Sequence, residues 1–389
     1  MAWNEMKRLK KLDYLIIVPY LTLCAIGIVM VYSSSANVAI QNGSSPTAYL
    51  IKQVMWVIVG MVLTGFVTAM NFRKWQTKVM IIGGFCVFLL FFIYLLAKGQ
   101  TVNGAAGWIS FGSINLQPAE FVKFYLIILV AHALASPKRE SELLGGHWWW
   151  TMRGPLIISA ILTGLVFIQP DMGSASIITA IIYMMCLASG IPVKRSWKII
   201  GATFVGIVFV AFPIALKLSE SGIVKSYKLA RLVAFVDPFG HAKDTGQQLV
   251  NSYYALSNGG LFGVGLGNSI QKRGYLPEPN TDFIMAITGE ELGLAAIIVI
   301  LLLLGLIVWR TIKIGMHADN VFDTLVCYGV ATYYAVQASI NVGGVVGFLP
   351  ITGVTFPFIS YGGSSMLSLT LCLGLVLNVS ARERGKKEK

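Results

Sequence analysis

The sequence predicts an all-α, polytopic membrane protein of about ten transmembrane helices, with re-entrant segments and one large extracytoplasmic loop. Three observations carry that expectation. Of 389 residues, 56% are hydrophobic and only 12% are charged, too apolar a balance for a chain bathed in water. Apolar runs of about 18 to 25 residues, the length that crosses a bilayer as a helix, recur along the whole chain. Lys and Arg gather in alternate connections, as they do on the cytoplasmic side of a membrane protein.

Taken in order, the first span lies near residues 14–33. It exceeds the roughly 7 to 15 apolar residues of a cleavable signal core and lacks a small-residue cleavage site, so it reads as a retained anchor. The second and third lie near 53–70 and 78–97, joined through Arg73 and Lys74. The fourth, near 119–135, follows QPAEFVK, and the fifth and sixth, near 154–168 and 173–190, are separated only by QPDMG. Trp148, Trp149 and Trp150, beside Arg153, read as an interfacial anchor ahead of the fifth span. The seventh, near 199–217, leads into the long loop 218–282, and the last three lie near 283–308, 322–345 and 362–381. Residues 1–389 form a single integral membrane domain with that loop inside it.

Placing the N-terminus in the cytoplasm puts most of the 30 Lys and Arg in the two tails and the even-numbered loops, including Lys7, Arg8, Lys10, Lys11, Lys138, Arg139, Lys194 and Arg195. Both termini are therefore expected inside a cytoplasmic membrane. The net charge of +13 then reflects topology and contact with anionic membrane lipids, and no nucleic-acid partner is expected. Cys24, Cys86, Cys186, Cys327 and Cys372 all fall in spans and give no disulfide framework. His132, His147, His241 and His317 lack ligand spacing, which argues against zinc. There is no GxxxxGK[ST], GxSxG or HExxH, so ATP-driven transport and serine hydrolysis lose their usual signatures.

With this topology the unusual segments all emerge on the outer side: Asn103 to Lys123, QPDMG, the loop from about Ser219 to Thr281, and Gly347 to Ser365. The first and last hold too many Gly, Pro and Ser for simple helices yet stay apolar, as expected of re-entrant backbone lining a cavity. Glu120 and Lys123 share a helical face, either as a structural ion pair or with Lys123 turned to an anionic substrate. Asp171 after Pro170 is either a helix cap or a site residue. Lys225, Lys228 and Arg231 form a basic stripe, suited to a membrane surface or to a pyrophosphate-bearing lipid. The glycines of GGLFGVGLG, Gly259 to Gly267, have no preceding strand and read as tight turns and close packing sooner than as a phosphate cradle. Glu278 and Asp282 stand at the mouth of the eighth span, and Glu290 and Glu291 lie inside it. A charge at membrane depth costs roughly 2.5 to 3.5 kcal/mol or more, so such residues line a cavity or meet a partner. Asp282 is also placed where it could cap the helix.

NGAAGWI with QPAEFVK, QPDMG, Gln248 to Gly267, YLPEPNTDFIMAITGEELG and LPITGVTFPFISYGGSS together resemble the SEDS family, the group containing FtsW, RodA and SpoVE, over essentially the full length. LPEPNTDFI and GVTFPFISYGGSSMLSLTLCLGLVLNVS look closer to the division-type FtsW branch. The resemblance implies a peptidoglycan glycosyltransferase that polymerises lipid II at the outer face of the cytoplasmic membrane, in cell division. It places the essential aspartate of the TDF motif at Asp282, and substrate binding at Glu120, Lys123, Trp108, Asp171, Lys228, Arg231, Gln248, Lys272, Glu278, Ser360 and Ser364. It further implies a class B penicillin-binding transpeptidase and other division proteins as partners. This chain has Gly107 where many members have Arg, and Ser174 where Thr is usual. The chemistry needs one base for an acceptor hydroxyl and positive charge for a departing pyrophosphate. A divalent cation, Mg2+ or Mn2+, at Asp282 or on the pyrophosphate is compatible with this, but no dedicated cage is evident and no cofactor is certain. The competing readings are a lipid II flippase or other transporter, which needs access from both faces, and a scaffold, which needs no intramembrane charges.

Overall fold

The computed structural model describes residues 12–70, 78–98, 100–102, 105–111, 114–135, 148–169, 171–191, 193–220, 227–243 and 245–387. Helical segments follow one another where the hydropathy predicts the ten spans, and among the described residues four of them, Tyr14–Gln41, Ala48–Ala69, Ile284–Met316 and Gly363–Gly385, are long and apolar enough to cross a membrane. The segments are α1 (Tyr14–Gln41), α2 (Ala48–Ala69), α3 (Lys78–Lys98), α4 (Pro118–Leu134), α5 (Trp148–Ile168), α6 (Met172–Ala188), the pair α7 (Val193–Gly206) and α8 (Phe212–Glu220), then, beyond two short loop helices, α11 (Ile284–Met316), α12 (Val321–Val345) and α13 (Gly363–Lys387). The pair α7 and α8 runs on through a π-helical turn at Ile207–Ala211. The long loop itself carries α9 (Tyr227–Val236) and α10 (Gln247–Gly259). Lys7, Arg8, Lys10, Lys11, Arg73, Lys74, Lys138, Arg139 and Lys225 lie outside the described residues, as does the side chain of Lys228 on α9.

Several helices extend beyond the expected spans, and two differences have a clear physical cause. The first helix runs on to Gln41, because Ser33, Ser34 and Ser35 are buried and the hydroxyls of Ser34 and Ser35 bond back to carbonyls of the preceding turn, which lets polar residues continue a helix. The segment after α3, expected as re-entrant coil, contains an antiparallel meander instead: β1 (Gln100–Val102), β2 (Ala105–Phe111) and β3 (Ile114–Leu116). Backbone groups at a sheet satisfy one another as a helix does, and the Ser110 hydroxyl reinforces the β2–β3 pair by donating to Asn115 Oδ1 at 2.8 Å. Gly347 to Gly362, by contrast, is the irregular, apolar connection anticipated, with Phe358 held at φ 64°.

The core gathers around α13, which packs along α2 and touches α4, α11 and α12, while α4 and α6 close the other side of α12. One end of this bundle is tied by charge. Asp13 is fully buried and caps α1 through Leu15 N while taking Arg310 and Arg384 at 2.8 and 2.7 Å. Asp323 takes Arg382 at 2.7 Å, and Asn378 donates to the last carbonyls of α2 and the residue after it, Val67, Thr68 and Met70.

Helix α11 is broken at Gly293 (φ 81°, ψ 175°), nine residues into its length. The glycine-rich loop after α10 fills the break. Val264 N and Gly265 N donate to the carbonyls of Glu290 and Glu291, while Leu294 N and Ala295 N donate to Gly260 and Leu261. The hydrogen bonds lost by the helix are thereby regained in kind. A Cβ at Gly259 would stand 2.0 Å from Gly289 O and one at Gly263 2.2 Å from Glu291 O, so only glycine allows the approach. These glycines serve packing, as their sequence context suggested.

A candidate active site at the mouth of α11

The motifs expected on the outer side converge at the bundle end away from the Asp13 cluster. Gln117, just before α4, donates its side-chain amide to Asp171 Oδ2 at 2.7 Å, and Asp171 Oδ1 accepts Ser174 N at 2.8 Å. Asp171 thus caps α6, the first of the two readings of that residue, and its bond from Gln117 joins QPAE to QPDMG. Gln117 N is bonded to Ser364 Oγ at 2.9 Å, which brings in the start of α13. Gly173 packs against Thr352 and Val354 of the irregular segment.

That segment is stitched in turn to the strand of chain leading into α11. Ser360 Oγ donates to Thr281 O at 2.7 Å and accepts Phe356 N at 2.7 Å, and Tyr361 N donates to Asn280 O at 2.9 Å. Asn341 of α12 donates to both Asp282 O, at 2.8 Å, and Val354 O, at 2.7 Å. The Thr281 hydroxyl donates to Glu278 at 3.1 Å. Ser360 and Ser364 are buried and their hydroxyls bind backbone, so they shape the mouth and do not face it. Gln337, Asn341 and Tyr333 were not singled out from sequence, although two amides one turn apart inside an apolar span were a readable sign.

Asp282 does not cap α11. Phe283 occupies the cap position, and no side chain bonds to the free N–H groups there. The Asp282 carboxyl instead borders Gly353 (φ +77°): a Cβ built on that glycine would lie 3.3 Å from Asp282 Oδ2 and 3.8 Å from Arg231 Nη1. The missing side chain leaves the space between carboxylate and guanidinium open, and Gly353 supplies a backbone angle other residues resist. Arg231 reaches there from α9, with Nη1 donating to Ile351 O at 3.2 Å. Enclosure by protein pushes the Asp282 carboxyl up to about 7, the nearby Glu278 carboxylate pushes the same way, and Arg231 opposes both. Asp171 is likewise raised by burial, against the pull of its Ser174 hydrogen bond.

Beside Arg231 opens a cavity of about 240 Å³, lined also by Thr245, Gln248, Leu249, Pro277 and Ile351. Ile351 borders as well a water-sized niche that Asp282 and Asn341 share. Arg231 and Gln248 thus line the cavity, while Asp282, with the Glu278 carboxylate near it, borders the adjoining niche. Glu120 and Lys123 lie deeper. Their ion pair is 2.7 Å long with Lys123 wholly buried, its Nζ 5.2 Å above the Tyr333 ring, and Tyr333 Oη donates to Glu120 at 3.0 Å. Lys272 is buried and turned toward α1 and α11: its Nζ binds Glu291 at 2.5 Å and Ser33 at 2.9 Å. Trp108 sits on β2, paired across from Gln100, and its neighbour Gly107 lies beside Gln169. Among the described residues no group of three His, Cys, Asp or Glu converges.

The family model for the FtsW, RodA and SpoVE group, described as cell cycle protein, matches residues 13–385. The chain belongs to this family. A SEDS-type relative, the probable peptidoglycan glycosyltransferase FtsW of Bacillus subtilis, is 38% identical over 380 residues, covering 96% of this chain and 92% of the relative. Stage V sporulation protein E of the same organism is 32% identical, with 96% and 98% covered. Two solved SEDS-fold chains superpose with it. One, from a peptidoglycan synthase complex that coordinates polymerization and crosslinking, gives a TM-score of 0.73 at 23% identity, covering 96% of this chain and 98% of that one. The other, the rod shape determining protein RodA of Thermus thermophilus, gives 0.65 at 23% identity, covering 95% and 96%.

Proposed function

We propose that this SEDS-family protein is a peptidoglycan glycosyltransferase that polymerises lipid II into glycan strands during cell division, with Asp282 as the general base. The observation that carries the reading is the Asp282 carboxyl and Arg231 meeting at the bare backbone of Gly353, where Arg231 and Ile351 line the 240 Å³ cavity and Ile351 also borders the niche of Asp282. An acceptor sugar hydroxyl gives its proton to Asp282 as its oxygen bonds to the donor's anomeric carbon. The bond from that carbon to the pyrophosphate breaks, and the electron pair leaves with the lipid pyrophosphate. Arg231 offsets the charge of that leaving group, and Gln248 lines the space where it would lie. A carboxyl with its pKa near 7 suits a base working at neutral pH.

Transport is less well supported. The opposite end of the bundle is tied shut by the buried Asp13 and Asp323 ion pairs, and the site motifs gather at one end only. The Lys and Arg asymmetry supports placing both termini in the cytoplasm and this mouth outside a cytoplasmic membrane. The likeness to the synthase complex supports a class B transpeptidase as partner. The test is glycan polymerisation from purified lipid II, with and without that transpeptidase. Wild-type protein is expected to polymerise, and Asp282→Asn, of equal shape but without basicity, to lose roughly a hundredfold or more. Polymerisation by Asp282→Asn at the parental rate would remove Asp282 from the chemistry.

A further inference from the structure

We infer that Asn341 is a positioning residue for glycosyl transfer, holding the backbone of Asp282 and the opposing wall of the site in register. The inference rests on the assignment of Asp282 as the base. One side-chain amide, on the well-packed helix α12, bonds the carbonyl of Asp282 at 2.8 Å and that of Val354 at 2.7 Å. These carbonyls belong to the two segments that form the mouth: the approach to α11 on one side, and the irregular chain carrying Gly353 on the other. Arg231 of α9 donates to Ile351 O of the second segment, so its distance from Asp282 depends on where these two segments stand; Ser360 joins them at Thr281, and Asn341 joins them at Asp282 itself.

Its other atom argues that this bond is kept for function. Asn341 is 5% exposed, and its Oδ1 has no hydrogen-bond partner among the described residues. Burying an acceptor unpaired is costly, and an apolar residue of similar size would avoid the cost in an otherwise apolar span. The niche that Asn341 lines is the one Asp282 lines. One turn earlier, Gln337 repeats the arrangement, with Nε2 donating to Thr355 O at 3.0 Å and to Ser365 Oγ at 3.1 Å, and with its Oε1 likewise buried and unpaired. Two amides on one helical face thus fasten the irregular segment at Val354 and Thr355, and only Asn341 extends the fastening to Asp282.

The test uses full-length protein with Asn341→Ala and Asn341→Asp, which keeps the shape but cannot donate to the two carbonyls. Lipid II polymerisation is measured alongside the thiol-labelling rate of a Thr352→Cys reporter placed in both backgrounds. The expected result is a fall in kcat of tenfold or more with KM within threefold, and reporter labelling at least fivefold faster. In an Asp282→Asn background, Asn341→Ala should add less than a twofold further loss, because the two residues act through one step. Unchanged kcat, or lowered kcat without faster labelling, or full additivity with Asp282→Asn, would overturn the inference. A wild-type protein that polymerises nothing would overturn the glycosyltransferase reading instead, and the labelling rate alone would then decide whether Asn341 holds the segment.

Discussion

The hydroxyl of Tyr333 donates to Glu120 Oε2 at 3.0 Å, while Lys123 holds Oε1 of the same carboxylate at 2.7 Å and stands over the Tyr333 ring. The glutamate is thus shared between α4 and α12, and the backbone carbonyl of Glu120 accepts Ser368 Oγ from α13 at 2.7 Å. Three helices that carry the mouth of the site are keyed together by one residue.

Removing one partner of such a pair leaves the other charged and dry, which costs roughly 3 to 5 kcal/mol. Lys123→Met and Glu120→Gln are each expected to lower the thermal midpoint and polymerisation together, while the double variant regains part of the stability. Unfolding in detergent followed by intrinsic fluorescence checks this. If the double variant is stable yet inactive, Lys123 also serves the substrate; if it is stable and active, the pair is structural only.

Lys272 and Glu291 make the corresponding prediction for the long loop. Glu290 accepts Asn258 Nδ2 at 2.9 Å, Ile270 N at 3.0 Å and also the Ser269 hydroxyl, so adjacent glutamates anchor both arms of the loop to the broken helix. Glu291→Ala should therefore destabilise by roughly 3 to 5 kcal/mol, and Lys272→Ala by a similar amount. Limited proteolysis of the loop is expected to accelerate in both variants. If Lys272→Ala instead raised KM for lipid II with the loop still resistant, Lys272 would belong with the substrate contacts.

What the sequence made legible follows from what a bilayer demands. Ten spans could be read because each must be apolar over a fixed length, and Glu120 with Lys123, or Glu290 with Glu291, stood out as charges where charges are costly. Asp282 and Arg231 were flagged by motif, yet nothing in a linear spacing places residue 231 against residue 353. The resemblance placed Lys272 among the substrate contacts, but the turn at Ser269–Lys272, fixed by Glu290, aims it at α1. The resemblance placed Ser360 and Ser364 among the substrate contacts, but an irregular segment inside a membrane protein must satisfy its backbone, and those hydroxyls bond backbone groups. The meander at β1 to β3 was missed since Gly and Ser there suggested coil; only its cross-strand partners make it a sheet.

Gly259 offers a sharper test of the loop's docking. Its Cβ position collides with the backbone of Gly289 and Glu290, and neither can retreat without moving α11. Gly259→Ala is expected to cost about 1 to 3 kcal/mol or more, as overpacking does, whereas Gly305→Ala on the same α11, where nothing lies within 4 Å, should be neutral or slightly stabilising. Equal thermal midpoints for the two variants would show that the loop does not sit in the break at Gly293.

The last prediction concerns pH and carries opposite signs for activity and stability. Burial, with Glu278 adding to it and Arg231 opposing, raises the Asp282 carboxyl to about 7. A base must be ionised, so polymerisation should fall about tenfold per pH unit below about 7 and level off above it. Arg231→Gln removes the opposing charge and should move that limb to higher pH, while Glu278→Gln should move it lower. For stability the sign reverses. The folded protein holds this proton more tightly than the unfolded chain, whose carboxyl titrates in the usual range, so folding stability from this residue is present at low pH and is lost as pH rises to about 7. At pH 8 the parental site carries a dehydrated charge that Asp282→Asn lacks. Asp282→Asn should therefore melt higher than the parent at pH 8, with the gap closing toward pH 5, while being far less active throughout. A pH–rate limb that stays in place in Arg231→Gln and Glu278→Gln, together with equal melting at pH 8, would mean that another group titrates.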